Sequence, residues 1–143
     1  MTIEFSQFAN AGVATEGDII VGLSGGLNAQ FTFPSTVSTT WQLVDTNTDM
    51  ESQNGYVVDA MGPVTLTLPS TINFGDYFEV VMFGSGSFIV QCNSGQQIRV
   101  GTALTSVGGS ITSYNQGDVV RLLACSSTQL IVLSCMTFHF TTA

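Results

Sequence analysis

Val64-Thr-Leu-Thr-Leu68 alternates apolar and polar residues between two prolines, Pro63 and Pro69. Successive side chains of a strand point to opposite faces, so Val64, Leu66 and Leu68 share one face and Thr65 and Thr67 the other. Proline cannot donate to a sheet ladder, which stops a central strand at either end. Short β-rich runs bounded by Gly, Asn, Ser and Pro recur along the chain. No segment sustains apolar residues at the i, i+3, i+4, i+7 spacing of a helix. The pattern predicts strands near Asp18–Leu23, Ala29–Phe33, Trp41–Asp45, Tyr56–Ala60, Val64–Leu68, Tyr77–Phe83, Ser87–Cys92, Gln97–Gly101, Ser110–Ser113, Val119–Cys125, Leu130–Ser134 and Thr137–Thr142. Such spacing fits an all-β fold, an antiparallel sandwich or barrel-like domain. The expected division is an N-terminal arm over 1–45 and a main β-domain over 46–143. The latter opens with a polar linker, Thr46–Gln53.

Charge narrows the partners. Only 8% of the 143 residues are charged against 44% hydrophobic, where about 25% charged is usual. Ser, Thr, Asn, Gln and Gly must supply the polar surface, and extensive subunit or partner contact is expected. The net charge is −8, with Arg99 and Arg121 as the cations and no lysine. Two arginines cannot form the basic stripe that phosphate neutralisation requires, so nucleic acid is not an expected partner. Anionic membrane surfaces are disfavoured for the same reason. No apolar run reaches the length of a membrane helix. The opening MTIEFSQFANAG lacks the basic and apolar regions of a signal peptide. Cys92, Cys125 and Cys135 are odd in number and lack CxxC spacing, against a disulfide framework or zinc site. All three sit in apolar runs and read as small buried hydrophobes, which suits folding in a reducing cytoplasm.

The motifs that invite chemistry resolve into structure. Gly17-Asp18, Gly75-Asp76 and Gly117-Asp118 each precede an apolar run; glycine supplies the turn and the carboxylate takes nearby backbone donors. Gly22-Leu-Ser-Gly-Gly-Leu-Asn28 lacks the lysine of a phosphate loop and reads as a tight turn. Asp45-Thr-Asn47-Thr-Asp49-Met-Glu51 places oxygens at alternate positions like half an EF-hand. Met50 stands where glycine is needed, and Tyr56 where the closing glutamate belongs, so the segment reads as a solvated acidic linker. His139 is the sole histidine, lies between Phe138 and Phe140, and follows no nucleophile elbow, so no catalytic triad is expected. Asp59, Asp76 and Glu79 do not form a convincing glycosidase pair, and one tryptophan with three tyrosines furnishes a sugar cleft thinly. No cofactor, metal or catalytic residue is expected.

The run Gly55-Tyr-Val-Val-Asp-Ala-Met-Gly-Pro-Val-Thr-Leu-Thr-Leu-Pro69 is followed by Gly75-Asp76-Tyr-Phe-Glu-Val-Val. Asn93-Ser-Gly-Gln-Gln-Ile98, Ser113-Tyr-Asn-Gln-Gly-Asp118 and the strands at Val119–Cys125 and Leu130–Ser134 come next. In order and spacing, roughly residues 55–134 resemble a recurrent β-module of tail-fibre and virion surface proteins of tailed bacteriophages. The stretch Asp18 to Phe31, with Val21-Gly22-Leu23, Gly26 and Asn28, resembles a segment of phage fibre and collar proteins. It carries Ser24 and Gln30 where arginines are often found, so any ion pairs of those arginines are missing. The resemblance implies a homotrimeric, all-β virion component without catalysis, made in the host cytoplasm and placed on the particle surface.

Two functions follow. The first is a capsid decoration (cement) protein bound to the major capsid protein. The chain is short, starts at Met1 as a complete protein would, and has no coiled coil. Ile3, Phe5, Phe8, Ile19 and Ile20 of the arm would bury apolar area, at about 25 cal/mol per Å², against neighbours. The second is a tail-fibre or spike module that joins other tail proteins and binds a host receptor or glycan. Trp41, Tyr56 and Tyr114 are then the contact aromatics.

Overall fold

The computed structural model describes residues 19–24, 27–32, 39–136 and 141–143. The chain divides into two compact units, Met1–Val37 and Ser38–Ala143. In the first, β1 (Ile19–Ser24) and β2 (Leu27–Thr32) pair antiparallel from Ile19↔Thr32 to Ser24↔Leu27.

The second unit is a two-sheet sandwich. Its strands are β3 (Thr40–Val44), β4 (Thr48–Asp49), β5 (Asn54–Val58), β6 (Pro63–Thr67), β7 (Tyr77–Met82), β8 (Ser87–Gln91), β9 (Gln97–Val100), β10 (Ala103–Leu104), β11 (Ser110–Thr112), β12 (Val119–Ala124), β13 (Gln129–Met136) and β14 (Thr141–Thr142). The large sheet has the order β10-β9-β13-β12-β7-β5-β3, and the small sheet the order β14-β11-β8-β6-β4. The sandwich expectation holds, but a purely antiparallel one does not. β3, β5 and β7 lie side by side in parallel, and so do β4, β6 and β8. From β3 to β8 the chain therefore alternates between sheets and stacks like coils of a solenoid. β7–β12, β12–β13 and β8–β11 then return antiparallel, while β9 joins β13 in parallel.

Alternation builds the core. Phe78, Val80 and Met82 of β7 and Val120, Leu122 and Ala124 of β12 point inward from the large sheet. They meet Val64 and Leu66 of β6 and Phe88 and Val90 of β8 from the small sheet, all essentially inaccessible. Fully burying an aliphatic or aromatic side chain of this size contributes about 1.5–3 kcal/mol.

The structure moves the expected boundary at residue 45. β3 pairs with β5 from Thr40↔Asn54 to Val44↔Val58, so it is an edge strand of the sandwich rather than part of an arm. The supposed linker Thr46–Gln53 is the crossing between sheets. It contains β4, its Met50 is buried in the core, and Asn47 Oδ1 accepts the Thr65 amide at 2.8 Å. Polar composition marked it as solvated, but most of its polar groups are used by the fold.

One turn recurs before three strands of the large sheet. Asn73-Phe-Gly-Asp76 leads into β7, Asn93-Ser-Gly-Gln96 into β9, and Asn115-Gln-Gly-Asp118 into β12. The third residue is glycine at φ 93°, 82° and 86°, respectively, a conformation other residues rarely adopt. In each turn the fourth residue's amide donates to the asparagine carbonyl, at 3.0–3.1 Å. Its side chain in return accepts the asparagine amide: Asp76 Oδ2 at 2.8 Å, Gln96 Oε1 at 2.9 Å and Asp118 Oδ2 at 3.0 Å. Two of the Gly-Asp pairs thus act as the turn chemistry predicts; Gly17-Asp18 lies outside the described residues.

Candidate functional site

The two outer faces of the sandwich differ in chemistry. On the small sheet Thr65 and Thr67 of β6, Ser87, Ile89 and Gln91 of β8, and Ser110 and Thr112 of β11 alternate with buried neighbours and so point outward. Register aligns Thr65 with Ile89 and Thr112, and Thr67 with Gln91 and Ser110. This is a hydroxyl- and amide-bearing surface on which those strands place no charge.

The outer face of the large sheet carries an apolar row. Leu43, Val57, Val81, Val119 and Met136 form one cross-strand row over β3, β5, β7, β12 and β13. Its ends are bare, with Leu43 72% and Met136 74% exposed. A second row is Trp41, Gly55, Glu79, Arg121 and Ser134. A third aligns Tyr77 with Leu123, Ile131 and Arg99.

The middle row holds the one ion pair among the described residues. Arg121 Nε donates to Glu79 Oε1 at 2.8 Å, and the Tyr77 hydroxyl donates to Glu79 Oε2 at 2.6 Å. Burial by itself pushes the Glu79 pKa up. The hydrogen bonds from Arg121 and Tyr77, with the Arg121 charge, outweigh it and hold the carboxyl below its ordinary value. Burial first, then the bond to Glu79, raises the Tyr77 phenol. A depressed carboxyl stabilises the fold fully above its unfolded-state pKa, and the contribution is lost as pH falls through the folded value. Chemical denaturation followed from about pH 6 down to about pH 3 is therefore expected to narrow the gap between wild type and Glu79→Gln. A gap that is constant over that range contradicts this account.

Trp41, Tyr56, Tyr114, Ile19 and Ile20 of the sequence-predicted site are among the described residues. Trp41 is about half exposed on edge strand β3, and its ring covers Gly55: a Cβ added there would lie 2.6 Å from Trp41 Cε3. Tyr114 is exposed on the β11–β12 connection, away from the Trp41 row. Tyr56 is a correction. It is fully buried, with its hydroxyl accepting the Glu51 amide at 2.6 Å, so it packs the core and contacts no outside ligand. Ile19 and Ile20 lie on β1, aligned with Thr32 and Phe31. Ile3, Phe5, Phe8 and His139 lie outside the described residues.

The acidic stretch does structural work. Asn47 holds Thr65, Glu51 Oε2 accepts Asn54 Nδ2 at 3.2 Å, and Asp45 and Asp49 are exposed. Among the described residues no group of three His, Cys, Asp or Glu side chains is arranged to hold a metal ion. Asp59, Asp76 and Glu79 are likewise dispersed, to a strand end, a turn and the ion pair.

The expectation of three buried cysteines is corrected. All three are free, but only Cys92 is buried; Cys125 follows β12 and Cys135 lies on β13, both exposed. Burial pushes the Cys92 thiol up to about 11. At about pH 8 only roughly one in a thousand Cys92 thiols is ionised, and the thiolate is the nucleophile. A maleimide is expected to modify Cys125 of the native protein rapidly and Cys92 only after denaturation. Rapid native labelling of Cys92, mapped by peptide mass, contradicts its placement.

Sequence reasoning missed the Glu79–Arg121–Tyr77 cluster and the exposed Leu43, Leu133 and Met136. The two ionic residues are 42 positions apart and meet only through the β7–β12 register. Arg121 being one of only two cations was the available signal. No protein-family model matches the chain, and no curated protein matches it.

Proposed function

We propose that the chain is a non-enzymatic structural protein of a tailed-bacteriophage particle, a decoration (cement) protein on the capsid surface that works as a homotrimer. The carrying observation is the contrast between the hydroxyl- and amide-bearing outer face of β6, β8 and β11 and the exposed apolar row across the large sheet. A subunit seated among others needs one face compatible with water and one with protein. The resemblance over residues 55–134 supplies the phage context, and the scarcity of charge supports a life in an assembly. In this reading the major capsid protein is the partner and no cofactor is used. Particles assembled without the chain are expected to release DNA at a lower temperature, with adding the purified protein restoring the wild-type value. Unchanged release temperatures in both cases refute the cement role.

A second reading, a tail-fibre module binding a host-surface glycan, is favoured by one end of the sandwich. The loops at 59–63, 83–86 and 114–118 adjoin there: Gly86 donates to the Ala60 carbonyl, and Gln116 Nε2 to the Phe83 carbonyl at 2.6 Å. They expose Met61, Phe83 and Tyr114 together. Host-cell binding that free surface polysaccharide competes away selects this reading; binding without competition counts against it.

A further inference from the structure

We infer that the outer face of the large sheet, with the open edge of β13 beside it, is the surface through which copies of this chain pack against one another. The inference deepens the multimeric part of the proposed function and rests on it.

Three observations carry it. The first is the apolar row Leu43–Val57–Val81–Val119–Met136, with Trp41 and Leu133 beside it and Leu123 and Ile131 beyond the Glu79–Arg121 row. Trp41, Leu43, Leu133 and Met136 are 49%, 72%, 55% and 74% exposed in the single chain. An exposed apolar row of this length is uncommon on a monomer and marks a contact surface.

The second is charge. A chain of net charge −8 repels its own copies, so copies can meet only where the acids are absent or neutralised. Asp45, Asp49, Glu51, Asp59, Asp76 and Asp118 all lie off the aligned rows of this face, on loops, turns or the small sheet. Glu79 is the acid within those rows, and Arg121 neutralises it. Arg99, aligned with Ile131, adds a cation, so the aligned rows present no unpaired acid to another copy of this acidic chain. A partner attracted by the protein's negative charge would be drawn to the acidic loops instead.

The third is the strand edge. β9 pairs with β13 only from Gln129↔Gln97 to Ile131↔Arg99. Among the described residues no strand takes that side of Val132-Leu-Ser-Cys-Met136. Natural edges are blunted by lysine, proline or inward charge, and this segment has none of them. Its one protecting device is a bulge, where the β12–β13 register shifts between Arg121 and Leu122 and Leu133 is the extra residue. An apolar face continuous with an unpaired edge is completed when a second copy covers both. Rotational symmetry closes such an assembly at a few copies instead of a fibre.

The test is sedimentation velocity of the full chain at micromolar concentration. Wild type is compared with the double variant Leu43→Arg, Met136→Arg, and with Met61→Arg as control. Leu43 and Met136 are bare in the single chain, so arginine there leaves the fold intact, which circular dichroism verifies. Met61 is 93% exposed and off this face. Wild type and the control are expected at a whole multiple of the chain mass, and the double variant at the mass of one chain. A monomeric wild type, or a folded double variant that keeps the wild-type mass, overturns the inference. A monomeric protein still found at high copy number on particles would overturn the inference and leave the virion reading standing.

Discussion

Replacing Gly84 with alanine is expected to cost about 3 kcal/mol and lower Tm by roughly 10 °C. A Cβ at Gly84 meets the backbone of Ala60 at its nitrogen, carbon and oxygen. The amides of Phe83 and Gly84 both donate to the Val58 carbonyl, at 2.9 and 3.0 Å, and Gly86 donates to Ala60 at 2.9 Å. The strand that leaves β7 is thus bonded directly onto the strand that leaves β5, and neither backbone can withdraw without breaking those bonds. Overpacking against rigid backbone is among the few mechanisms that give large single-site losses. Gly62 is the control: nothing lies within 4 Å of its added Cβ, so Gly62→Ala is expected to change stability by less than about 0.5 kcal/mol. Thermal melts of the two variants decide the matter. Equal, small shifts contradict the close stacking of these coils.

Asp118→Ala is the second large effect, at about 3 kcal/mol. Asp118 is 3% exposed, and its Oδ2 accepts the amides of Tyr114 at 3.1 Å and Asn115 at 3.0 Å. Alanine strands both donors, and an unsatisfied buried donor costs about 1–3 kcal/mol. Asp118→Asn keeps one oxygen and is expected to lose less than half as much. Asp76 plays the same part before β7 but is more exposed and holds one amide, so Asp76→Ala is expected to cost about 1 kcal/mol. Urea denaturation gives the ranking. A loss for Asp76→Ala equal to that for Asp118→Ala would show that burial of the turn is not what sets its value.

Much of the fold was legible in local pattern. Val64-Thr-Leu-Thr-Leu68 became β6 with its valine and leucines buried, because period-2 alternation reports directly which side chains face a core. The Gly-Asp pairs read as turns because their chemistry is confined to four residues. β4 and β10, two residues each, carry no periodicity to detect. The parallel stacking was hidden for another reason. Alternation is the same in parallel and antiparallel strands, and the offsets between stacked strands are unequal: Thr40 aligns with Asn54, 14 residues on, and Asn54 with Phe78, 24 on. Without a fixed period, no internal repeat stands out.

The site was less legible. Tyr56 was a candidate contact aromatic by residue type alone, and only the three-dimensional packing places it in the core. Cys125 and Cys135 looked buried because their neighbours are apolar. Those neighbours belong partly to the outer face of the large sheet, so apolar sequence and burial part company there. The apolar outer face is itself the reason that hydrophobic content overstates the core of one chain.

The most direct test of the account is the copy number of this protein in purified particles, measured against the major capsid protein by quantitative mass spectrometry. A decoration protein covering the shell predicts a ratio of about one when a trimer occupies every local threefold cluster, or a simple fraction such as about one third when trimers occupy one cluster in three. A ratio smaller by roughly an order of magnitude, as a tail component would give, contradicts the capsid assignment, and absence from particles contradicts the virion role altogether.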